Sequence, residues 1–121
     1  MYSNNNRPVF LDLTRIRFPV VALVSIGHRI SGVMLFASLP VALYLFGLSL
    51  QSAEGYAKVS SLLSGVPFKL LLIPYIWFLS HHLFAGIRHL LLDMEIGVDR
   101  EQARLSAKLA IGAALVMLVI A

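Results

Sequence analysis

The stretch ISGVMLFASLPVALYLFGLSL, residues 30–50, contains no Lys, Arg, Asp or Glu. At a rise of ~1.5 Å per residue, a helix of this length reaches ~31 Å, which matches the ~30 Å hydrocarbon core of a bilayer. The apolar pattern extends back to Pro19, and proline is well tolerated in the first turn of a helix. The sequence therefore predicts a transmembrane helix over residues 19–50.

Two further apolar runs predict two more membrane spans. Residues 70–87 lack charged side chains, and residues 109–121 form a shorter run that extends back through Ser106 if Lys108 snorkels to the interface. We expect spans over residues 67–92 and 104–121, within one membrane-anchor domain at residues 1–121. Pro40 and Pro74 fall inside spans, where they are expected to kink the helices. The segment after the first span predicts a polar loop, and the segment after the second predicts a charged connector that turns at Gly97.

Composition supports lipid as the solvent of this chain. Its 121 residues are 59% hydrophobic and 13% charged, whereas soluble domains carry about 25% charged residues. The sequence contains no cysteine, which excludes a disulfide framework, a thiolate metal site and a thiol nucleophile. The net charge of +4 does not indicate nucleic acid, because the basic residues flank apolar runs and form no contiguous solvated face. No catalytic residue is predicted.

The basic residues predict the orientation. Most of them lie on the side of the N-terminus and the second connector: Arg7, Arg15, Arg17, Arg29, Arg88, Arg100, Arg104 and Lys108. Only Lys58 and Lys69 lie on the opposite side. Under the positive-inside rule the N-terminus is cytoplasmic, and we expect a multi-pass protein of a bacterial inner membrane.

The first polar cluster is SIGHRISG, residues 25–32. Ser25, His28, Arg29 and Gly32 occupy positions i, i+3, i+4 and i+7, which share one face of a helix. These side chains are either interfacial anchors that snorkel to headgroups, or a site for an anion or a carbonyl oxygen. In the second interpretation the arginine fork and the serine hydroxyl would grip a quinone carbonyl or a propionate.

The second polar cluster is LSHHLFAGIRHLLLD, residues 79–93. His82, Gly86 and His89 share a face, while His81 is rotated ~100° away. His82 lies ~16 Å below the charged border at Asp93, close to mid-bilayer, where a histidine is costly unless it faces protein or a ligand. It either hydrogen-bonds a neighbouring helix or is an axial ligand of a haem iron. Gly86 would then leave room for the flat macrocycle.

The depths of the remaining cations extend the haem interpretation. His28, Arg29, Arg88 and His89 are expected nearer the cytoplasmic surface, where two haem propionates would need positive partners. Because His28 and His89 are expected to lie too shallow to share an iron with His82, a second axial ligand would come from another polypeptide. Two alternatives remain open: a small transporter or proton-relay subunit that uses these histidines, and a purely structural anchor.

Three segments carry a resemblance to a known family. RPVFLDLTRIRFPVVALVSIGHRISGV, HHLFAGIRHLLLD and RLSAKLAIGAALVMLVIA together cover nearly the whole chain. They resemble the signatures of the cytochrome b-type membrane anchor of bacterial succinate dehydrogenase, respiratory complex II. The resemblance implies an all-α membrane protein, with three transmembrane helices that pack with a second anchor subunit into a haem-binding bundle.

The resemblance also implies roles for individual residues. His82 would be the axial ligand of haem b, and the other anchor subunit would supply the second ligand. Ser25 and Arg29 would contact quinone, and Phe18 and Ile26 would line the quinone pocket. A last group would lie beside the haem edge and propionates: His28, Arg29, Gly86 and His89.

The implied function is that of one subunit of an enzyme complex. A flavoprotein subunit with FAD and an iron–sulfur subunit would oxidise succinate and carry the electrons. This chain would pass them to quinone as the haem b- and quinone-binding anchor of succinate:quinone oxidoreductase, with no succinate-oxidising chemistry of its own.

Overall fold

The computed structural model describes residues 16–121, and these residues form four α-helices. They are α1 (Val20–Gln51), α2 (Ala53–Ser64), α3 (Val66–Asp93) and α4 (Arg100–Ile120). Within the described range there is no β-strand, so the predicted all-α fold is confirmed. Arg7, Arg15 and the beginning of the first signature lie outside the described residues.

Three of these helices are long and apolar enough to cross a membrane. α1, α3 and α4 have 32, 28 and 21 residues, which correspond to ~48, ~42 and ~32 Å of helix. Their large side chains point outward: Phe36 is 76% exposed and Val119 is 86% exposed. An apolar exterior of this kind suits a lipid environment. Helices α1 and α3 continue through Pro40 and Pro74.

The segment between α1 and α3 was predicted as a loop, and that prediction is wrong, because it folds into the 12-residue helix α2. The Ser52 hydroxyl accepts a hydrogen bond from the Gly55 backbone N–H at 3.0 Å, which caps the new helix. At Gly55 a Cβ atom would clash with the Leu48 carbonyl oxygen, so glycine permits the close approach of α2 to α1. The Ser and Gly residues that suggested a loop therefore lie at the start of a helix and at its contact with α1.

Small side chains hold the spanning helices together. α4 buries Ala107, Ala110 and Ala114 along one face, and α3 contributes the fully buried Ala85. Alanines at such an interface let two backbones approach closely, which favours van der Waals packing between helices in lipid. Val24 of α1 belongs to the same buried cluster. The core is consequently narrow and rich in alanine.

The short connector between α3 and α4 reverses the chain. Gly97 has φ of +75° and Glu95 has φ of +61°, so both adopt the left-handed conformation that favours glycine. The turn predicted at Gly97 is confirmed. The reversal brings the start of α4 back to the end of α3. The start of α1 lies at the same end, because the ring of His28 contacts the ring of His89.

Candidate functional site

Three histidine rings form a row between α1 and α3. The rings of His28 and His82 are stacked, with centroids 4.2 Å apart and planes inclined by 8°. His89, two turns further along α3, has its ring centroid 5.1 Å from that of His28 at a tilt of 56°. The His28 ring therefore lies between the rings of His82 and His89 along α3, and its depth differs from that of His82 by no more than the 4.2 Å between their centroids. A difference this small does not by itself require a second polypeptide.

Hydrogen bonds fix the orientation of the His82 ring. Its Nδ1 lies 3.2 Å from the hydroxyl oxygen of Ser31 and 3.2 Å from the backbone carbonyl oxygen of His28. The Ser31 hydroxyl itself donates to that carbonyl at 2.9 Å. A carbonyl oxygen only accepts, so in the neutral ring the proton lies on Nδ1 and the lone pair on Nε2. No residue of the described range forms a hydrogen bond with Nε2.

Glycines make this close packing of α1 on α3 possible. A Cβ atom on Gly32 would lie 3.1 Å from Cε1 of His82, and one on Gly86 would lie 3.3 Å from Nε2 of His28. The space beside Gly86 thus faces the His28 ring. Its predicted role of leaving room for a macrocycle stays a prediction.

The quinone-contact candidates occupy the outer side of α1. Ser25 is half-buried and Arg29 is exposed, one turn apart on the same helix. Ile26 is 42% exposed and Phe18 is 41% exposed. His28 and Gly32 were predicted on the same face as Ser25 and Arg29, but they contact α3 instead. The predicted face is thus divided between a buried side and an outer side.

A small hollow lies beside Arg29 on the surface of α1. It has a volume of about 240 Å³, and its walls are Arg29, Ile30, Val33 and Met34. All four belong to α1. A quinone pocket at this place would need further walls from another polypeptide.

Two polar residues of α3 lie outside the histidine row, as was expected for His81 and not for Arg88. Arg88, counted among the cations near the propionates, turns away from the histidine row: its Nε donates to the Ser106 hydroxyl of α4 at 3.1 Å. His81 is 6% exposed, and neither of its ring nitrogens has a hydrogen-bond partner. Its ring packs against Gly27, where a Cβ atom would lie 2.6 Å from Nε2. The same signal was available for Arg88, since it sits about 100° of helical rotation from His89, as His81 does from His82.

Comparison with known proteins identifies the family. The model of the succinate dehydrogenase/fumarate reductase transmembrane subunit family matches residues 3–121. The succinate dehydrogenase cytochrome b556 subunit of Coxiella burnetii (strain RSA 493 / Nine Mile phase I) is 41% identical over 108 residues, which cover 86% of this chain and 84% of that protein. This chain belongs to the succinate dehydrogenase/fumarate reductase transmembrane subunit family.

Two other relatives extend over almost the full chain. The succinate dehydrogenase cytochrome b556 subunit of Paracoccus denitrificans is 30% identical over 98% of this chain and 91% of its own length. The cytochrome b560 subunit of Reclinomonas americana is 31% identical over 98% of this chain and 85% of its own length. The predicted resemblance to a succinate dehydrogenase membrane anchor is therefore confirmed, and the chain is one subunit of an enzyme complex.

Proposed function

We propose that this chain is the haem b- and quinone-binding anchor of a succinate:quinone oxidoreductase. In this proposal His82 is an axial ligand of the haem iron, and Ser25 and Arg29 hold the quinone. The cytochrome b in the names of its relatives supports the haem. The observation that carries the assignment to His82 is the pair of contacts at its Nδ1, to Ser31 and to the His28 carbonyl.

The residues around His82 fit an axial ligand. Metal-bound histidines usually donate their second ring N–H to a carbonyl or carboxylate, which fixes the tautomer and raises the basicity of the ligating nitrogen. His82 has that arrangement, with the His28 carbonyl as acceptor. Stacking against His28 covers a face of the ring, whereas the Nε2 lone pair lies in the ring plane. A bound haem b would supply a one-electron redox centre inside the membrane.

The residues proposed to lie beside the propionates are His28, Arg29 and His89. His28 and His89 have neighbouring rings, and Arg29 follows His28 directly. Imidazole N–H and guanidinium groups would donate hydrogen bonds to the ionised carboxylates. Arg88 is not part of this proposal, since its side chain turns toward α4.

The second axial ligand is proposed to come from the other anchor subunit. The rings of His28 and His82 are stacked with centroids 4.2 Å apart and planes inclined by only 8°, which leaves no room for a cofactor between them. His28 in this position cannot bind the same iron from the other face. A partner chain is then needed to complete a six-coordinate site.

Quinone reduction is proposed to depend on hydrogen-bond donors from α1. The guanidinium of Arg29 is a permanent donor, and the hydroxyl of Ser25 lies one turn away. Donors placed at a quinone oxygen stabilise the negative charge that develops there on reduction, and they do so strongly in a site shielded from water. Ile26 and Phe18 would line the pocket with their exposed apolar side chains.

The proposed assembly contains three other polypeptides. A flavoprotein subunit with FAD oxidises succinate, an iron–sulfur subunit carries the electrons, and a second anchor completes the membrane domain. The bias of basic residues supports a bacterial inner membrane location with the N-terminus in the cytoplasm. The start of α1 and the end of α3 would then face the soluble subunits.

A pair of neighbouring histidines provides the test of the haem ligand. We expect His82→Ala to abolish the sharp reduced absorption bands of a six-coordinate haem b in the purified complex. His81→Ala is the matched control, because it removes a buried imidazole at the adjacent position and should keep those bands. Succinate oxidation with an artificial dye acceptor should continue in both variants, since that chemistry lies in other subunits.

The outcome that contradicts the assignment is equally clear. An unchanged spectrum and haem content in His82→Ala would exclude His82 as ligand. Loss of the bands in His81→Ala but not in His82→Ala would assign the iron to the other ring.

The quinone proposal is tested by comparing two activities of one preparation. We expect Arg29→Ala and Ser25→Ala to lower quinone reduction at least about tenfold, as removal of a hydrogen bond to developing charge does, and to leave dye reduction nearly unchanged. Arg104→Gln, an exposed arginine of α4, is the control. An equal fall in both activities would point to damaged assembly and against a quinone-contacting role.

A proton relay through the histidines is less well supported. Proton transfer between imidazoles needs N–H···N hydrogen bonds, and in the described part of the chain His28 and His82 are stacked face to face instead. The absence of haem absorption from the intact complex would nevertheless favour that function over the one proposed here.

A further inference from the structure

Arg88 is a buried arginine with no counter-charge among residues 16–121. It is 4% exposed, and its contacts go to neutral groups of α4: Nε donates to Ser106 at 3.1 Å, and Nη2 donates to the Ala103 carbonyl at 3.2 Å. Its remaining nitrogen, Nη1, has no hydrogen-bond partner. No carboxylate within residues 16–121 forms a salt bridge with it.

The hydrogen bonding and the charge balance of this guanidinium are incomplete within residues 16–121. Arginine keeps its charge in proteins, and a buried charge is costly unless an opposite charge and further hydrogen bonds compensate for it. Two neutral acceptors satisfy part of the fork and leave the charge unbalanced. Among residues 16–121 nothing balances this charge, and a group that would do so is an anion with at least one strong acceptor oxygen.

Arg88 also lines a cavity. It has a volume of about 400 Å³ between α3 and α4, and Arg88 is its one charged wall residue among those that the structure describes. Ser106 and Gln102 are the polar neighbours in the wall. The other walls are mostly apolar, including Phe84, Leu91, Leu105 and Leu109.

The position of the cavity suits the border of a bilayer. Arg88 lies five residues before the end of α3 at Asp93, which is ~7.5 Å of helix. The turn that joins α3 to α4 contributes Ile96 and Gly97 to the wall. A cation at this level, with apolar walls that continue toward the hydrocarbon, matches a phospholipid, whose phosphate lies just outside the hydrocarbon core.

We propose that the cavity between α3 and α4 binds an anionic phospholipid, with its headgroup phosphate on the guanidinium of Arg88. Arginine matches phosphate oxygens in geometry, and basic pockets between transmembrane helices bind anionic lipid headgroups. The acyl chains would lie along Leu105 and Leu109. The mostly apolar walls favour a ligand with hydrocarbon chains over free inorganic phosphate.

This site is distinct from the histidine row. His89 faces α1, whereas Arg88, one residue earlier, faces α4. The lipid site does not depend on haem or quinone binding at the other side of α3. Its test can therefore fail while the proposed function stands, and the reverse also holds.

The test uses the assembled complex, purified in detergent and stripped of lipid. It is exposed to mixed micelles of phosphatidylcholine with phosphatidylglycerol that carries a photoreactive group on its acyl chain. We expect crosslinks in peptides of α3 and α4 that flank the cavity. Native mass spectrometry should count phosphatidylglycerol retained by the wild-type complex, and in Arg88→Gln its affinity should fall about 10- to 100-fold.

Matched variants separate charge from structure. Arg88→Lys should retain phosphatidylglycerol better than Arg88→Gln, because it keeps the positive charge. It lacks the planar, bidentate donor geometry of arginine. Arg104→Gln removes an exposed arginine close by and should leave retention unchanged within about twofold. If Arg88→Gln does not assemble, the wild-type crosslinks and Arg88→Lys decide the question.

Several results would overturn the proposal. Equal retention in Arg88→Gln and wild type would exclude Arg88 as the phosphate ligand. Displacement of the lipid by inorganic phosphate as efficiently as by short-chain phosphatidylglycerol would identify a free-phosphate site. Crosslinks that avoid α3 and α4 altogether, with the cavity closed by a carboxylate of another subunit, would show that a protein partner balances the charge.

Discussion

Gly27→Ala tests how closely α1 and α3 approach at the histidines. In the structure, a Cβ atom at Gly27 would lie 2.6 Å from Nε2 of His81, and further contacts of 3.3 and 3.4 Å involve carbons of the same ring. Ordinary van der Waals contact begins at 3.4 Å. The ring or one helix would have to move by about 0.8 Å to admit a methyl group. His81 is buried against Trp77, so the ring has little freedom to move.

The size of the effect follows from a comparison within one helix. Overpacking a well-packed contact costs ~1–3 kcal/mol, whereas Ala in place of Gly favours a helix by up to about 1 kcal/mol. Gly47→Ala carries the same helical gain on α1, but a Cβ atom there meets nothing within 4 Å. The difference between the two variants isolates the steric cost. We expect Gly27→Ala to be less stable than Gly47→Ala by ~1–3 kcal/mol in the free energy of unfolding.

The measurement is an equilibrium unfolding titration of the purified chain in detergent micelles. The fluorescence of Trp77 reports locally, because it is the single tryptophan of the chain and its ring centroid lies 5.6 Å from that of His81. Equal stability of the two alanine variants would refute the reasoning. It would mean that α1 and α3 are further apart at Gly27 than the structure has them.

Three further predictions concern single contacts. Ser31→Ala removes one partner of the His82 Nδ1 and should weaken haem retention about tenfold, measured by haem transfer to an acceptor protein; Ser38→Ala, whose hydroxyl bonds only within α1, should have no effect. Ser106→Ala deprives the buried guanidinium of an acceptor and should lower the free energy of unfolding by ~1.5–3 kcal/mol in the same titration; no change would mean that water replaces the hydroxyl. Gly97→Ala forces a side chain into a φ of +75° and should cost ~1–2 kcal/mol; an unaffected midpoint would argue against the left-handed turn.

The length and uniform hydrophobicity of the spans explain why the fold class could be predicted. A run of residues that excludes every charge over the thickness of a bilayer has few alternatives to a transmembrane helix. The segment between α1 and α3 was less predictable. Its Ser and Gly residues are compatible with a loop, and only the cap at Ser52 and the contact of Gly55 with α1 reveal a helix.

The candidate site was predictable as a set of residues and not as an arrangement. Helical spacing placed His82 and His89 on one face of α3, and the structure agrees, since both rings contact His28. Spacing along one helix contains no information about the rotation and depth of a neighbouring helix. For that reason the direct stacking of the His28 ring on the His82 ring was not predicted.

By itself, the sequence determined that the chain lies in a membrane, that its polar residues cluster toward one end, and which family it resembles. These properties depend on local hydrophobicity and on spacing within single helices, which are written directly in the order of residues. Only the tertiary structure decided which neighbour each polar side chain meets: His82 the Ser31 hydroxyl and the His28 carbonyl, and Arg88 the start of α4. The physical reason is that small residues on facing helices allow contact at short range, and this contact sets the relative rotation of the helices.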